Sequence, residues 1–272
     1  TGSSAEKREV RTYSQRGIAL CLGWLRSSQP RMADEPITTL NPENSRLAFE
    51  HAIKQDADGI ELDVQYHVES GNFVVLHDQY LDTATSGTGD FNQYTILELT
   101  TMRLGQGQCL LTLDEALACI NGKVAVNIEV KTTVTDPNSL SNICFALNDC
   151  ISQAMAHYAY TEAHFIISSF NHTFLHFFGT VYPNYSQAAL IAHSPYDQCQ
   201  FTEQLSLEYV NQDIDSLNAA LVEDAHERGL KVFVYTVNRF EDIEKCIHAK
   251  VDGIFTNYPE KTRKFAQLCI DE

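Results

Sequence analysis

Glu61 and Asp63 are two carboxylates that lie between the apolar residues Ile60, Leu62 and Val64 in the stretch 58–66. The apolar residues recur at every second position, which predicts a strand that buries one face and turns both carboxylates to the other. Two carboxylates on one buried face repel each other and lose their hydration, which is costly. A bound divalent cation removes both penalties, because hard cations prefer oxygen ligands. The stretch therefore predicts a metal-binding strand.

Residues 123–131 repeat this pattern. Valine and isoleucine alternate with Asn127, Glu129 and Lys131, which predicts a second strand with a charged face. Acids on two such strands favour one shared site, in which Lys131 adds a positive charge for an anionic substrate. The alternative for the strands is an edge position with a hydrated face, and for Lys131 it is a plain salt bridge to Glu129.

A histidine and an aspartate, His77 and Asp78, follow a predicted strand at residues 73–76. Histidine titrates near neutral pH, so His77 suits proton transfer at a charged site. The alternative is a structural histidine held by hydrogen bonds. His172 and His176 have the i, i+4 spacing of helical metal ligands, but the sequence shows no third ligand near them.

Strands and helices alternate about eight times along the chain, which favours a parallel sheet closed into a barrel. The first strand is either 13–17 or, better by composition, the apolar run 18–25. A long loop follows at 26–42, and Asn44 or Ser45 caps the next helix. The further predicted strands are 58–66, 73–76, 123–131, 164–170, 187–193, 207–211 and 231–238, with a last helix-and-strand return at 241–254.

The length of 272 residues fits one (β/α)8 TIM barrel, which typically needs about 250. We expect a flexible tail at 1–12 and a single domain at 13–272. The catalytic site of such a barrel lies at the C-terminal ends of its strands. The candidate residues at or near predicted strand ends are Glu61, Asp63, His77, Glu129, Lys131 and Asn238.

The net charge of −17 argues against a general affinity for nucleic acid or anionic membranes. No run of 18 apolar residues exists, so we expect no transmembrane segment. The eight cysteines show no C-x-x-C spacing, which argues against a zinc site of paired cysteines. The sequence begins at Thr1, so we expect a processed or truncated chain in which a targeting segment cannot be seen.

Taken in order, several segments resemble the glycerophosphodiester phosphodiesterase family. The resemblance covers roughly residues 41–260, and each segment is a weak signal whereas the ordered set is specific. The segments are Pro42-Glu43-Asn44, 58–64, Val75-Leu76-His77-Asp78, 127–131, Ser168-Ser169-Phe170, 234–238 and Val251-Asp252-Gly253-Ile254.

The resemblance implies a (β/α)8 barrel that cleaves the phosphodiester between glycerol 3-phosphate and an alcohol, using a divalent cation such as Mg²⁺ or Ca²⁺. It assigns three acids to the metal: Glu61, Asp63 and Glu129. It assigns His77 to proton transfer and Lys131 to phosphate contact. Glu43 and Asn44 would line the site; Tyr235 and Phe170 would wall the pocket, with core aromatics as the alternative.

The first strand departs from the family pattern, which ends this strand in His-Arg-Gly. Here Gln15-Arg16-Gly17 would place Gln15 at the catalytic position and Arg16 beside the substrate, and glutamine cannot exchange a proton at neutral pH. If the apolar run is the first strand, Gly23, Trp24 and Leu25 occupy this position instead. Neither register supplies a histidine, and the nearest in sequence are His51 and His67.

Two functions therefore remain open. The first is a metal-dependent phosphodiesterase acting on glycerophosphodiesters or related lipid-derived diesters. The second is a catalytically silent barrel that binds a phosphodiester or a protein partner. The first function is favoured by the set of three acids and one lysine, namely Glu61, Asp63, Glu129 and Lys131. The second is favoured by the missing histidine of the first strand. A third option is that Gln15 is an introduced change that traps substrate.

Overall fold

The computed structural model describes residues 21–23 and 41–271, with side chains described for 41–268. The predicted tail 1–12, Gln15, Arg16 and most of the predicted loop 26–42 lie outside these residues. The described strands are β1 (Cys21–Gly23), β2 (Gly59–His67), β3 (Asn72–Val75), β4 (Arg103–Gly105), β5 (Gln108–Cys109), β6 (Ala125–Lys131), β7 (Phe165–Ser169), β8 (Ser186–Ile191), β9 (Tyr209–Asp213), β10 (Lys231–Tyr235) and β11 (Gly253–Thr256).

The described helices connect these strands, and the first six of them begin at a residue whose side chain caps the helix. Ser45 caps the first of them by accepting from the Ala48 N–H, which is one of the two predicted alternatives. The helices are α1 (Arg46–Lys54), α2 (Ile96–Thr101), α3 (Leu113–Ile120), α4 (Pro137–His157), α5 (His172–Val181), α6 (Ala219–Glu227), α7 (Phe240–Ala249) and α8 (Pro259–Asp271). None of these described helices has the length and apolar character that a membrane span needs.

Eight parallel strands form the main sheet in the order β2, β6, β7, β8, β9, β10, β11, β1. The sheet curls until β1 returns to the side of β2. The predicted (β/α)8 TIM barrel is therefore confirmed. β1 lies inside the apolar run 18–25, so that run contains the first strand.

Two strands have roles different from those predicted. We expected residues 73–76 to be the third barrel strand, but β3 pairs antiparallel with β2 in a hairpin. The connection from His67 to Asn72 is too short for the crossover that a parallel pair needs, so the chain turns back on itself. The strand predicted at the end of residues 241–254 is β11. It lies between β10 and β1 and is the eighth strand of the barrel.

Side chains alternate between two apolar layers. Outward residues of the barrel strands, such as Leu62, Ile128 and Val232, pack under the helices in two large clusters. Each such buried side chain contributes about 1.5–3 kcal/mol to folding. Inward residues form a smaller cluster in the barrel interior, namely Ile166, Ala188, Leu190, Phe233, Tyr235 and Phe255.

The chain between β3 and α3 forms an excursion with an apolar core of its own. It contains α2, the β4–β5 hairpin and two short 3-10 segments at Leu81–Thr83 and Phe91–Gln93. Its core joins Val74 and Leu76 to residues of the excursion, namely Leu81, Phe91, Leu99 and Leu110. This packing fixes the segment that follows β3, which carries His77.

Candidate active site

The three predicted metal ligands come together in the barrel interior. β2 and β6 pair in parallel with Asp63 opposite Glu129, and Glu61 lies two residues earlier on the same face of β2. One carboxylate oxygen from each of the three lies within 4.8 Å of the others, and all three residues are buried. Among the described residues, this is the one such cluster of His, Cys, Asp or Glu ligand atoms.

Lys131 lies against two of these acids. Its Nζ atom is 3.0 Å from Asp63 Oδ1 and also forms an ion pair with Glu129 Oε1. Burial by itself would lower the pKa of Lys131, but the carboxylates of Asp63 and Glu129 outweigh burial and raise this pKa above its ordinary value. The side chain therefore carries a fixed positive charge at neutral pH. The ion pair predicted as the alternative to phosphate contact is present in the structure.

Asn44 holds the carboxylate of Asp63 from the other side. Its Nδ2 donates to Asp63 Oδ2 at 3.0 Å, and its Oδ1 accepts from the Asp63 backbone N–H at 3.2 Å. Asn44 has a φ of 55°, in the left-handed region that asparagine tolerates better than most residues. Two reciprocal hydrogen bonds thus fix the orientation of Asp63, a contact that the sequence did not reveal. Glu43, the residue before Asn44, is half-buried.

The hairpin returns His77 to the level of the acids. The Leu76 N–H donates to the Asp63 carbonyl at 3.0 Å, and Gln65 Nε2 donates to the His77 carbonyl at 3.1 Å. Both bonds tie the end of β3 to β2. His77 therefore reaches the site through the hairpin. The sequence predicts it instead at the end of a barrel strand, and this prediction is wrong.

A carboxylate orients the His77 ring. Asp78 Oδ1 lies 2.7 Å from His77 Nδ1, and Thr83 Oγ1 donates to Asp78 Oδ2 at 2.9 Å. Burial would raise the pKa of Asp78, but the hydrogen bonds from His77 and Thr83 outweigh it and lower this pKa. Asp78 is thus ionised at neutral pH, and its carboxylate favours a proton on Nδ1 of His77.

The predicted aromatic wall lies beside Lys131. The ring of Phe170 is 46% exposed, and its centroid is 5.8 Å from Lys131 Nζ. The buried Tyr235 ring meets Phe170 edge to face with centroids 6.2 Å apart, and its hydroxyl donates to the Ile191 carbonyl at 2.8 Å. Tyr235 is therefore anchored in the core, as the alternative held, while Phe170 presents an open ring at the mouth.

The other histidines considered have structural environments. His67 is buried, with one ring nitrogen 2.8 Å from Ser70 Oγ and the other 2.8 Å from the Tyr94 carbonyl. His51 is exposed on α1. His172 lies 3.2 Å from the Leu190 carbonyl and His176 lies 2.9 Å from the Gln204 carbonyl, so each is bonded to a separate backbone group.

The donor set fits a hard divalent cation. Three carboxylates against one ammonium leave an excess of negative charge in a site that water reaches poorly, and this excess is costly without a further cation. Carboxylate oxygens are the ligands that Mg²⁺, Ca²⁺ and Mn²⁺ prefer. The arrangement can therefore bind a phosphate through a metal and Lys131 together.

The fold and the site define a TIM barrel with an acid-and-lysine centre built on neighbouring strands. Residues 37–261 match the family model described as the glycerophosphoryl diester phosphodiesterase family, and the chain belongs to this family. The resemblance found in the sequence is thereby confirmed. The family relationship supports a phosphodiesterase enzyme.

Individual relatives agree with this assignment. A glycerophosphodiester phosphodiesterase of Caldanaerobacter subterraneus is 32% identical over 227 residues, covering 80% of this chain and 90% of the relative. A phosphodiesterase from Oleispira antarctica, solved with the product sn-glycerol-3-phosphate, has a TM-score of 0.74 at 23% identity over 86% of this chain and 94% of its own. A glycerophosphodiester phosphodiesterase from Thermotoga maritima has a TM-score of 0.66 at 21% identity, and the match covers 92% of this chain and 99% of the Thermotoga chain.

Proposed function

We propose that this chain hydrolyses glycerophosphodiesters, or related lipid-derived diesters, to glycerol 3-phosphate and an alcohol, with a divalent cation held by Glu61, Asp63 and Glu129. The observation that carries the proposal is the cluster of three buried carboxylates within 4.8 Å beside Lys131. When bound, Mg²⁺ or Ca²⁺ would supply Lewis acidity to the phosphodiester.

Lys131 binds a nonbridging phosphate oxygen in this proposal. Its charge is fixed by Asp63 and Glu129, so it stabilises the charge that grows on the phosphoryl oxygens as the bond to the alcohol breaks. Asn44 keeps Asp63 in place, and Glu43 next to it lines the approach to the site. Tyr235 supports Phe170, whose open ring covers the side of the site next to Lys131.

His77 donates a proton to the leaving alcohol through Nε2. Both ring nitrogens carry a proton in this step, so Asp78 stabilises the imidazolium at Nδ1 and fixes the ring plane, and the proton that the attacking hydroxyl or water releases restores the ring afterwards. The nucleophile that fits this arrangement is a hydroxyl of the substrate glycerol or a water molecule.

Calorimetric titration of Mg²⁺ and of Ca²⁺ into metal-free protein tests the metal site. We expect Glu61→Gln to weaken the binding of the preferred ion by at least about 100-fold, because it removes a charged ligand. The matched control is Glu260→Gln, which changes an exposed acid paired with Lys264. Equal affinities in wild type and Glu61→Gln would refute the site.

The reaction is tested by measuring the rate of glycerophosphocholine hydrolysis in the presence of the preferred ion and in the presence of a chelator. We expect turnover that depends on the ion. Binding of the diester without turnover would instead support the silent barrel. The sequence favours the silent barrel in one respect: no histidine precedes His51, so the first strand lacks the histidine of the family pattern.

Roles for Gln15 and Arg16 stay predictions. β1 spans Cys21–Gly23, which favours the register in which the apolar run 18–25 contains the first strand. A large rate increase in Gln15→His would place residue 15 at the catalytic position. An unchanged rate would support the other register.

A further inference from the structure

Asn211 on β9 is a buried amide for which the described residues provide no partner. The side chain is 1% exposed, and neither Nδ2 nor Oδ1 has a hydrogen-bond partner in the described part of the chain. Buried polar groups in native proteins are nearly always bonded, and an unsatisfied one needs an explanation such as a ligand. This amide therefore marks a place where a polar group from outside the described chain belongs.

The register places Asn211 on the inner face of the barrel. Glu129 is opposite Ser168, Ser168 opposite Ala188, and Ala188 opposite Tyr209, so these residues share the inward face. Asn211 lies two residues after Tyr209 and has the same orientation. In an eight-stranded barrel with a shear of eight, the level shifts by about one residue per strand, so Asn211 is close to the height of Glu129.

The strand order then sets Asn211 opposite the acids. β9 is the fourth strand on from β2 in the order β2, β6, β7, β8, β9, and in a ring of eight the fourth strand is directly across the barrel. Asn211 therefore faces Glu61 and Asp63 over the interior. Its neighbours on the adjacent strands are Leu190 and Phe233, which supply no polar group.

The chemistry of the amide selects the missing group. A metal ion would use Oδ1 and leave Nδ2 unbonded, whereas a phosphate oxygen would use Nδ2 and leave Oδ1 unbonded. A hydroxyl can accept from Nδ2 and donate to Oδ1 or to a neighbouring acceptor, so a diol satisfies both atoms. The uncharged neighbours Leu190 and Phe233 also favour a neutral group over an anion.

We infer that Asn211 is a specificity-determining residue that binds the hydroxyl groups of the glycerol part of the substrate, an inference that rests on the proposed function. Glycerol would then lie between the acids on β2 and Asn211 on β9, with its phosphate towards Lys131. Sites built to bond a substrate hydroxyl reject analogues that lack it, because the buried polar group is left unpaired.

The test compares the affinities of sn-glycerol 3-phosphate and of methyl phosphate, which has no hydroxyl on its carbon, by calorimetry in the presence of Mg²⁺. We expect wild type to prefer glycerol 3-phosphate and Asn211→Leu to reduce this preference by about tenfold, with methyl phosphate affinity unchanged. The melting temperature of Asn211→Leu should equal or exceed that of wild type, because the variant removes an unsatisfied amide from an apolar setting.

Gln187→Leu is the matched control. Gln187 is also a 1% exposed amide with an unbonded Oε1, but it lies against Gly179 of α5 on the outside of the barrel. We expect the Gln187→Leu variant to prefer glycerol 3-phosphate over methyl phosphate to the same degree as wild type.

Three results would overturn the inference. They are a wild type with no preference between the ligands, an Asn211→Leu variant that keeps the full preference, and equal loss of preference in Gln187→Leu. Failure of the proposed function gives a different result, namely preferential binding of glycerol 3-phosphate by a wild type that does not hydrolyse glycerophosphocholine.

Discussion

The two sides of the barrel interior differ in chemistry. On the side of β2 and β6 the inward residues are Glu61, Asp63, Asn127, Glu129 and Lys131, whereas β8, β10 and β11 contribute Ala188, Leu190, Phe233, Tyr235 and Phe255. The apolar side stabilises the fold by burial, while the charged side is desolvated at a cost. The difference indicates that the charged side is built for a cation and an anionic group, whereas the apolar side mainly provides stability and offers a ligand only the uncharged amide of Asn211. Each prediction below tests this division.

The largest effect should come from a change on the charged side that keeps shape. Glu129→Gln removes one negative charge from the cluster of three acids that we propose binds the metal, and it weakens the pairing with Lys131. We expect hydrolysis of glycerophosphocholine to fall by more than about 10³-fold, since a bound cation is worth several kcal/mol to such a reaction. The measurement is kcat/KM at saturating Mg²⁺, and a loss below tenfold would contradict the role of Glu129.

His77→Asn tests the residue that the hairpin brings to the charged side. We expect kcat for glycerophosphocholine to fall by about 10²–10³-fold, because the leaving alcohol loses its proton donor. Metal affinity should stay as in wild type. A substrate whose alcohol is a good leaving group, such as a nitrophenyl diester, should be affected much less; equal losses on both substrates would contradict proton donation.

Phe233→Ala tests the apolar side. Phe233 is buried against the rings of Tyr209 and Phe255, so its loss leaves a cavity. We expect the free energy of unfolding to fall by about 3–5 kcal/mol, with metal affinity unchanged in the folded protein. Denaturant unfolding with circular dichroism measures the first quantity and calorimetry the second. A large loss of metal affinity would show that the two sides are not separate.

The smallest effect concerns Asp78, whose pKa is lowered in the folded state. A depressed carboxyl pKa gives stability that is present above its unfolded pKa of about 3.9 and lost as pH falls through the folded value. Because this side chain is 48% exposed, we expect Asp78→Asn to cost less than about 1 kcal/mol at pH 7. The difference from wild type should vanish at low pH in urea unfolding; a difference that grows below pH 4 would contradict the sign.

Much of the fold and of the charged side could be predicted because both depend on alternation. The period of two places Glu61, Asp63, Glu129 and Lys131 on inward faces, and parallel pairing then brings them together. The continuous apolar run 73–76 does not distinguish the two pairing directions, however, so it predicts a barrel strand where the structure has the antiparallel β3. The short connection around Gly71 is the signal that identifies the hairpin.

Contacts that depend on exact tertiary placement could not be predicted. The bonds between Asn44 and Asp63 join residues 19 apart in sequence, and they require the left-handed backbone of Asn44. Asn211 gave no signal either, because one asparagine in a short strand is unremarkable until its neighbours are known. The sequence predicts no helix or strand at α2, β4 and β5, because α2 is six residues long and the two strands are shorter still.

The hairpin also sets the spacing between the three carboxylates and His77. Glu61 and His77 lie on one length of chain whose two strands bond to each other, and the hydrogen bonds from the Leu76 N–H to Asp63 and from Gln65 to the His77 carbonyl hold His77 at β2. The same strand carries two of the carboxylates and holds the third through its pairing with β6. Changes of length in residues 68–71, at the far end of the hairpin from His77, would therefore leave this spacing unaltered.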